Sequence, residues 1–158
     1  MDPTEGDIDE PAPSWVVYTS FALCLIALGI STYLTIEHFT GNTSLVCTDS
    51  GGFNCGKVTT STWSVILGIP VAVLGLVQYV AMSVLCSPWG WRAARREVHV
   101  ARLAFAVVGM VFVLWLIAAE ALLIHAFCLW CSGVHLITFL VFILVIQSVP
   151  RMLGWTRR

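Results

Sequence analysis

Val100 to Val149 reads VARLAFAVVGMVFVLWLIAAEALLIHAFCLWCSGVHLITFLVFILVIQSV, and its only charged residues are Arg102 and Glu120. A helix crosses a hydrocarbon core of roughly 30 Å with about 20 apolar residues, so the stretch holds two spans, near 100–124 and 127–149. The link between them is so short that they must turn back as a tight hairpin at one membrane face. Working outward, two further apolar runs stand near 15–36 and 63–86. The first is free of charge. The second contains Gly68-Ile69-Pro70, read as a kink whose freed carbonyl neighbouring helices satisfy. The fold class that follows is all-α: a polytopic membrane protein built as a four-transmembrane-helix bundle, with an extracytoplasmic loop between helices 1 and 2. No internal repeat and no soluble-type strand pattern is visible.

Composition agrees. The chain of 158 residues is 58% hydrophobic and 11% charged, against about 45–50% and about 25% in soluble domains. The domains expected are an acidic tail over 1–14, a membrane domain over 15–149 and a basic tail over 150–158. The residues before Trp15 lack the basic start and short apolar core of a cleaved signal peptide, so the first helix is expected to stay in the mature protein. Acids cluster at Asp2, Glu5, Asp7, Asp9 and Glu10, a layout that concerns orientation rather than nucleic acid.

With four spans, both termini and the 2–3 loop share one side. Arg92, Arg95, Arg96, Arg102, Arg151, Arg157 and Arg158 fall there, against Lys57 alone on the other, which marks that side as cytoplasmic. The expectation is a multi-pass protein of a prokaryotic cell membrane with both termini cytoplasmic. Trp15, Trp63, Trp89, Trp91 and Trp155 lie near span ends, where amphipathic rings favour the headgroup zone.

This topology sorts the six cysteines. Cys47 and Cys55 lie in the 1–2 loop, and Cys128 and Cys131 at the 3–4 hairpin, all on the extracytoplasmic side; Cys24 and Cys86 sit at other depths and read as packing residues. Cys128-Leu129-Trp130-Cys131 is a C-x-x-C motif opening a helix, where unpaired N–H groups and the macrodipole favour the thiolate that attacks disulfides. Cys47 and Cys55 enclose a polar segment that includes Gly51 and Gly52, able to close a small disulfide and to move as a lid. Taken alone, such a pair is more often a purely stapling disulfide, worth roughly 2–3 kcal/mol, than a catalytic one. Zinc held by all four thiols is disfavoured by the x7 spacing of the first pair, so no metal is expected.

The hydroxyl-rich run Thr59-Thr60-Ser61-Thr62 leads to Trp63. It either caps the second span or lines a pocket, with Ser61 or Thr62 donating to a ligand oxygen and Trp63 packing a ring. Glu120 is expensive in lipid and must face the bundle interior, a partner or water. A hydrogen bond between helices is its simpler reading, and a proton route to the thiols is the other. His125 and His135 flank the C-x-x-C motif and are candidates for proton transfer near neutral pH. Asn42-Thr43-Ser44 is a glycosylation acceptor that matters only in a eukaryote.

Taken together, Cys47, Cys55 after an x7 gap, Ser61, Trp63, Cys128 and Cys131 resemble the vitamin K epoxide reductase family. Cys55-Gly56-Lys57-Val58 and Gly68-Ile69-Pro70 look like its prokaryotic members, over nearly all of Trp15 to Val149. The resemblance implies a quinone-dependent thiol oxidoreductase supporting disulfide formation in exported proteins. In it Cys131 reacts with a quinone of menaquinone, ubiquinone or vitamin K type, Cys128 exchanges with Cys55, and Cys47 exchanges with a thioredoxin-like partner, here a separate polypeptide. Ser61, Trp63, Cys131 and His135 are the quinone contacts. His135 stands where animal members typically carry a tyrosine, and Thr59 where an aromatic residue helps cover the quinone, which counts against epoxide reduction. The alternatives are a vitamin K quinone or epoxide reductase, or a non-enzymatic membrane scaffold with structural disulfides.

Overall fold

The computed structural model describes residues 11–41, 46–47 and 52–155. The acidic cluster up to Glu10, the Asn42-Thr43-Ser44 acceptor, Gly51, Arg157 and Arg158 lie outside the described residues. Helix α1 runs Ser14–Thr40, and α2 is the short Cys55–Thr59. A single 3-10 turn, Thr62–Ser64, leads to strands β1 (Val65–Ile66) and β2 (Ile69–Pro70). Then come α3 (Val71–Leu85), α4 (Pro88–Arg92), α5 (Arg96–Ala118), a π-turn over Ala119–Ile124 and α6 (Leu129–Met152). Helix α1 packs on α3 and α6, and α5 closes the bundle against α6 and α3.

Three stretches, Ser14–Thr40, Arg96–Ile124 and Leu129–Met152, are helical, long and apolar enough to cross a membrane. Each overruns its expected boundary. Helix α1 continues past Ile36 to Thr40, where Gly41, at φ 78°, returns its N–H to the Glu37 carbonyl and ends the helix. Helix α5 starts at Arg96 rather than near 100, and α6 runs through Pro150 to Met152.

The second run departs most from expectation. Its helix is α3 alone, 15 residues long, or about 22 Å at 1.5 Å per residue. Residues 65–70 form a β-hairpin pairing Val65 with Pro70 and Ile66 with Ile69, so Gly68-Ile69-Pro70 is a turn and strand rather than a kink. Leu67 and Gly68 both have positive φ, 52° and 81°, the conformation of a two-residue hairpin turn. Pro70 restricts Ile69 to extended backbone. It has no N–H to give, and it ends β2 as the residue before α3. The Ser61–Thr62 run therefore does not cap α3; Asn54 caps α2 instead, its Oδ1 accepting the Lys57 N–H at 2.8 Å.

At the end of the bundle where α3, α4 and α5 meet, Arg102 is fully buried. Its Nε and Nη2 donate to the Leu85 carbonyl at 2.9 and 2.6 Å, and Nη1 donates to His99 Nδ1 at 2.8 Å. Leu85 is the last residue of α3, so the guanidinium of one helix satisfies an orphan carbonyl at the negative end of another. Because His99 Nδ1 accepts, its Nε2 carries the proton and donates to the Ala93 carbonyl at 2.9 Å. The Arg102 guanidinium carbon lies 3.8 Å from the Trp91 ring centroid. Trp91 thus leaves the headgroup zone expected for it: it is buried beneath Arg102 and donates Nε1–H to Ser20 Oγ at 3.1 Å. Trp15, Trp63, Trp89 and Trp155 stay exposed. Cys24 and Cys86 are fully buried in the same core and lie against one another.

Candidate functional site

The opposite end of the bundle carries the other four cysteines. Cys47 and Cys55 are joined as a disulfide with Cα atoms 6.0 Å apart, while Cys128 and Cys131 are free thiols. What brings the two pairs together is backbone. Phe53 and Phe127 form a parallel bridge in which Asn54 N–H donates to the Phe127 carbonyl at 2.9 Å and Phe127 N–H to the Gly52 carbonyl at 3.0 Å. Cys55 follows Asn54 and Cys128 follows Phe127, so both sulfurs enter one small apolar cluster with Val58, Ile124 and Ala126.

The Cys47 end is clamped separately. Val46 gives its N–H to the Tyr33 hydroxyl at 3.1 Å, and its carbonyl accepts Trp130 Nε1–H at 2.8 Å. The Tyr33 and Trp130 rings lie 5.1 Å apart. Burial sets the two inner sulfurs apart from the two outer ones: Cys55 and Cys128 are sealed, while Cys47 is only partly covered and Cys131 opens on a cavity.

Cys128 is the N-cap of α6, one residue outside the span, and its Sγ accepts the Cys131 N–H at 3.4 Å. A hydrogen bond from the Cys131 thiol, then the backbone N–H groups of Cys131 and Trp130, hold the Cys128 thiol below its ordinary value. A folded-state thiol value below the unfolded one adds stability that is fully present above the unfolded value and is lost as pH falls through the folded value. In Cys131→Ala the largest of these contributions disappears. With Cys47 and Cys55 both replaced by Ala, so that Cys128 stays a free thiol, ultraviolet thiolate absorbance against pH should therefore show the Cys128 titration moving upward when Cys131 is also replaced by Ala.

The cavity has a volume of about 340 Å³ and a mostly apolar lining. Ser61, Trp63, Cys131 and His135 all border it, and so does Thr59. Thr62 and His125 are not among its lining residues. His125 is exposed at the end of the π-turn, in left-handed backbone at φ 53°, with Nδ1 3.1 Å from the Ala121 carbonyl. The Ser61 hydroxyl donates to the Val58 carbonyl at 2.8 Å, so its hydrogen is engaged inside the chain and the oxygen meets the cavity as an acceptor. Sequence reading missed His38, Gln78 and Tyr79, which also line it. Gln78 donates to the Phe105 carbonyl at 2.8 Å, and the Tyr79 hydroxyl lies 2.6 Å from Thr138 Oγ1. A Gln-Tyr pair inside an apolar run was the available signal.

Size and chemistry suit a prenylated quinone ring, since apolar walls with a few polar anchors in about 300–1,000 Å³ are what such ligands occupy. Among the described residues no group of three or more His, Cys, Asp or Glu could hold a metal ion.

A helical bundle with membrane-length apolar spans, a disulfide packed beside a dithiol and an apolar cavity next to that dithiol define a membrane-embedded redox protein. The chain belongs to the vitamin K epoxide reductase family, whose family model matches residues 18–146, from α1 into α6 and across all four of these cysteines. Members are oxidoreductases, and the family's reductases use quinones in general. No curated protein matches the chain.

Proposed function

We propose that this protein moves electrons from protein thiols to a membrane quinone through Cys47, Cys55, Cys128 and Cys131, and so supports disulfide formation in exported proteins. The observation that carries the reading is the placement of the dithiol: Cys128 packs with Cys55, and Cys131 opens on the cavity. Cys47, at the partly covered end, is the sulfur that a thioredoxin-like partner reaches. The partner's thiolate attacks Cys47, and Cys55 leaves as a thiolate. Cys55 then attacks Cys128 of a Cys128–Cys131 disulfide, releasing Cys131. The partner's second thiolate then attacks the partner sulfur bonded to Cys47, closing the partner's own disulfide and freeing Cys47 as a thiolate; Cys47 resolves the Cys55–Cys128 bond, the Cys47–Cys55 disulfide re-forms, and the electron pair rests on Cys128 and Cys131. This is the arrangement in the structure. The low thiol value of Cys128 makes it a good leaving group in the resolving step.

Ser61, Trp63 and His135 surround the place where the ring binds. A bound quinone of menaquinone, ubiquinone or vitamin K type supplies the two-electron, two-proton sink. The arginine distribution supports four crossings with both termini cytoplasmic and the thiols outside, α3 and the preceding hairpin together making the second crossing.

The test is quinone reduction by purified protein given a reduced thioredoxin-like donor. Turnover that needs both donor and quinone, and persists in Cys24→Ala, supports the reading. Absence of turnover across menaquinone, ubiquinone and phylloquinone headgroups with several donors sinks it.

A further inference from the structure

Glu120 is 4% exposed, sits in the π-turn after α5 and lines the cavity beside Cys131 and His135. The backbone N–H of Cys128 lies against its carboxyl group. Its Oε2 is buried and has no hydrogen-bond partner among the described residues. Holding half a carboxyl group unpaired away from water is costly, and a group of this kind calls for an explanation beyond packing. The Cys128 N–H at the start of α6 gives the carboxyl group a contact between helices, but among the described residues nothing takes up Oε2.

The chemistry of the site supplies an explanation. Closing the Cys128–Cys131 disulfide releases an electron pair and two protons, and these protons must leave two sulfurs beside an apolar cavity. The titratable groups sharing that space are Cys131 and His135 on α6, His38 on α1 and Tyr79 on α3, with Cys128 at the mouth of α6.

Resting on the function proposed above, we infer that Glu120 is the acid–base residue of the quinone step, taking the Cys131 thiol proton and returning it to a quinone oxygen. The Cys131 S–H bond breaks as the carboxylate gains the proton. Cys131 and Cys128 then join as a disulfide, with their electron pair passing to the quinone. The proton on Glu120 leaves for one quinone oxygen, and the proton from Cys128 goes to the other. Glu120 begins and ends as a carboxylate.

Glu120→Gln keeps the shape and loses the proton carrier, so kcat should fall about 10²-fold or more with KM for quinone little changed. Glu120→Asp, which retains an ionisable group, should recover at least a tenth of the lost rate. A second readout uses protein free of quinone: iodoacetamide should alkylate Cys131 in Glu120→Gln at no less than the wild-type rate, showing an intact dithiol. Turnover of Glu120→Gln within twofold of wild type overturns the inference, as does loss of Cys131 alkylation together with turnover. So does failure of Glu120→Asp to exceed Glu120→Gln. If wild type itself reduces no quinone, the function reading fails, a result distinct from equal turnover by wild type and the Glu120→Gln variant.

Discussion

Cys131→Ala is expected to abolish quinone reduction, with a loss on the order of 10³-fold or more, while leaving the outer disulfide able to exchange. Cys131 is the only one of the four sulfurs that lines the cavity, so no neighbour substitutes for it there. The variant should also trap an intermediate. Cys128, packed with Cys55 and lacking its own partner, attacks the Cys47–Cys55 bond and stays joined to Cys55, with Cys47 released. Non-reducing peptide mapping should find Cys55–Cys128 as the main linkage and free Cys47. Recovery of Cys47–Cys55 alone, or retained turnover, would contradict the order of the relay. Gel mobility of the alkylated protein gives the same answer more quickly.

The largest effect on stability is expected at the opposite end, from Arg102→Met. The substitution leaves the Leu85 carbonyl and His99 Nδ1 without donors and removes the cation from the face of Trp91. Each orphaned buried group costs about 1–3 kcal/mol, and a desolvated cation–π contact about 2 kcal/mol. Replacing a buried charge with an apolar side chain recovers part of this through relief of desolvation. A net loss of about 3 kcal/mol follows from these magnitudes, to be read as a lower thermal midpoint in detergent. Arg102→Lys should rescue little, because an ammonium cannot donate to Leu85 and His99 while lying flat on a ring. The α3–α4 turn has no slack to compensate. A Cβ on Gly90 would stand within 3 Å of the Val84 carbonyl and closer still to the Leu85 carbonyl that Arg102 grips.

Three of the long helices are legible in sequence because apolar length alone reports them, and their boundaries slip by a few residues because capping is decided locally at residues such as Gly41. The hairpin before α3 is not legible. Val65, Ile66 and Ile69 are apolar in either conformation, and a short apolar run carries no period that separates strand from buried helix. Position near a span end puts Trp91 at the headgroups; the pull of Arg102, itself committed to Leu85, lies outside any local pattern. At the site, the cysteines and the inward position of Glu120 can be read from residue type and spacing. The Phe53–Phe127 pairing cannot, because it is made by main-chain groups that every residue except proline possesses. Helix α2, at five residues, is too short to show a period, although Asn54 at its start is a visible capping signal.

In the relay proposed above, two sealed sulfurs between two open ones would make the protein an insulated conductor. Cys47 is partly open at one terminal and Cys131 faces the cavity at the other, but Cys55 and Cys128 between them are sealed. On that reading a small thiol or a stray oxidant cannot tap the middle of the line, and electrons enter and leave it only at its two ends.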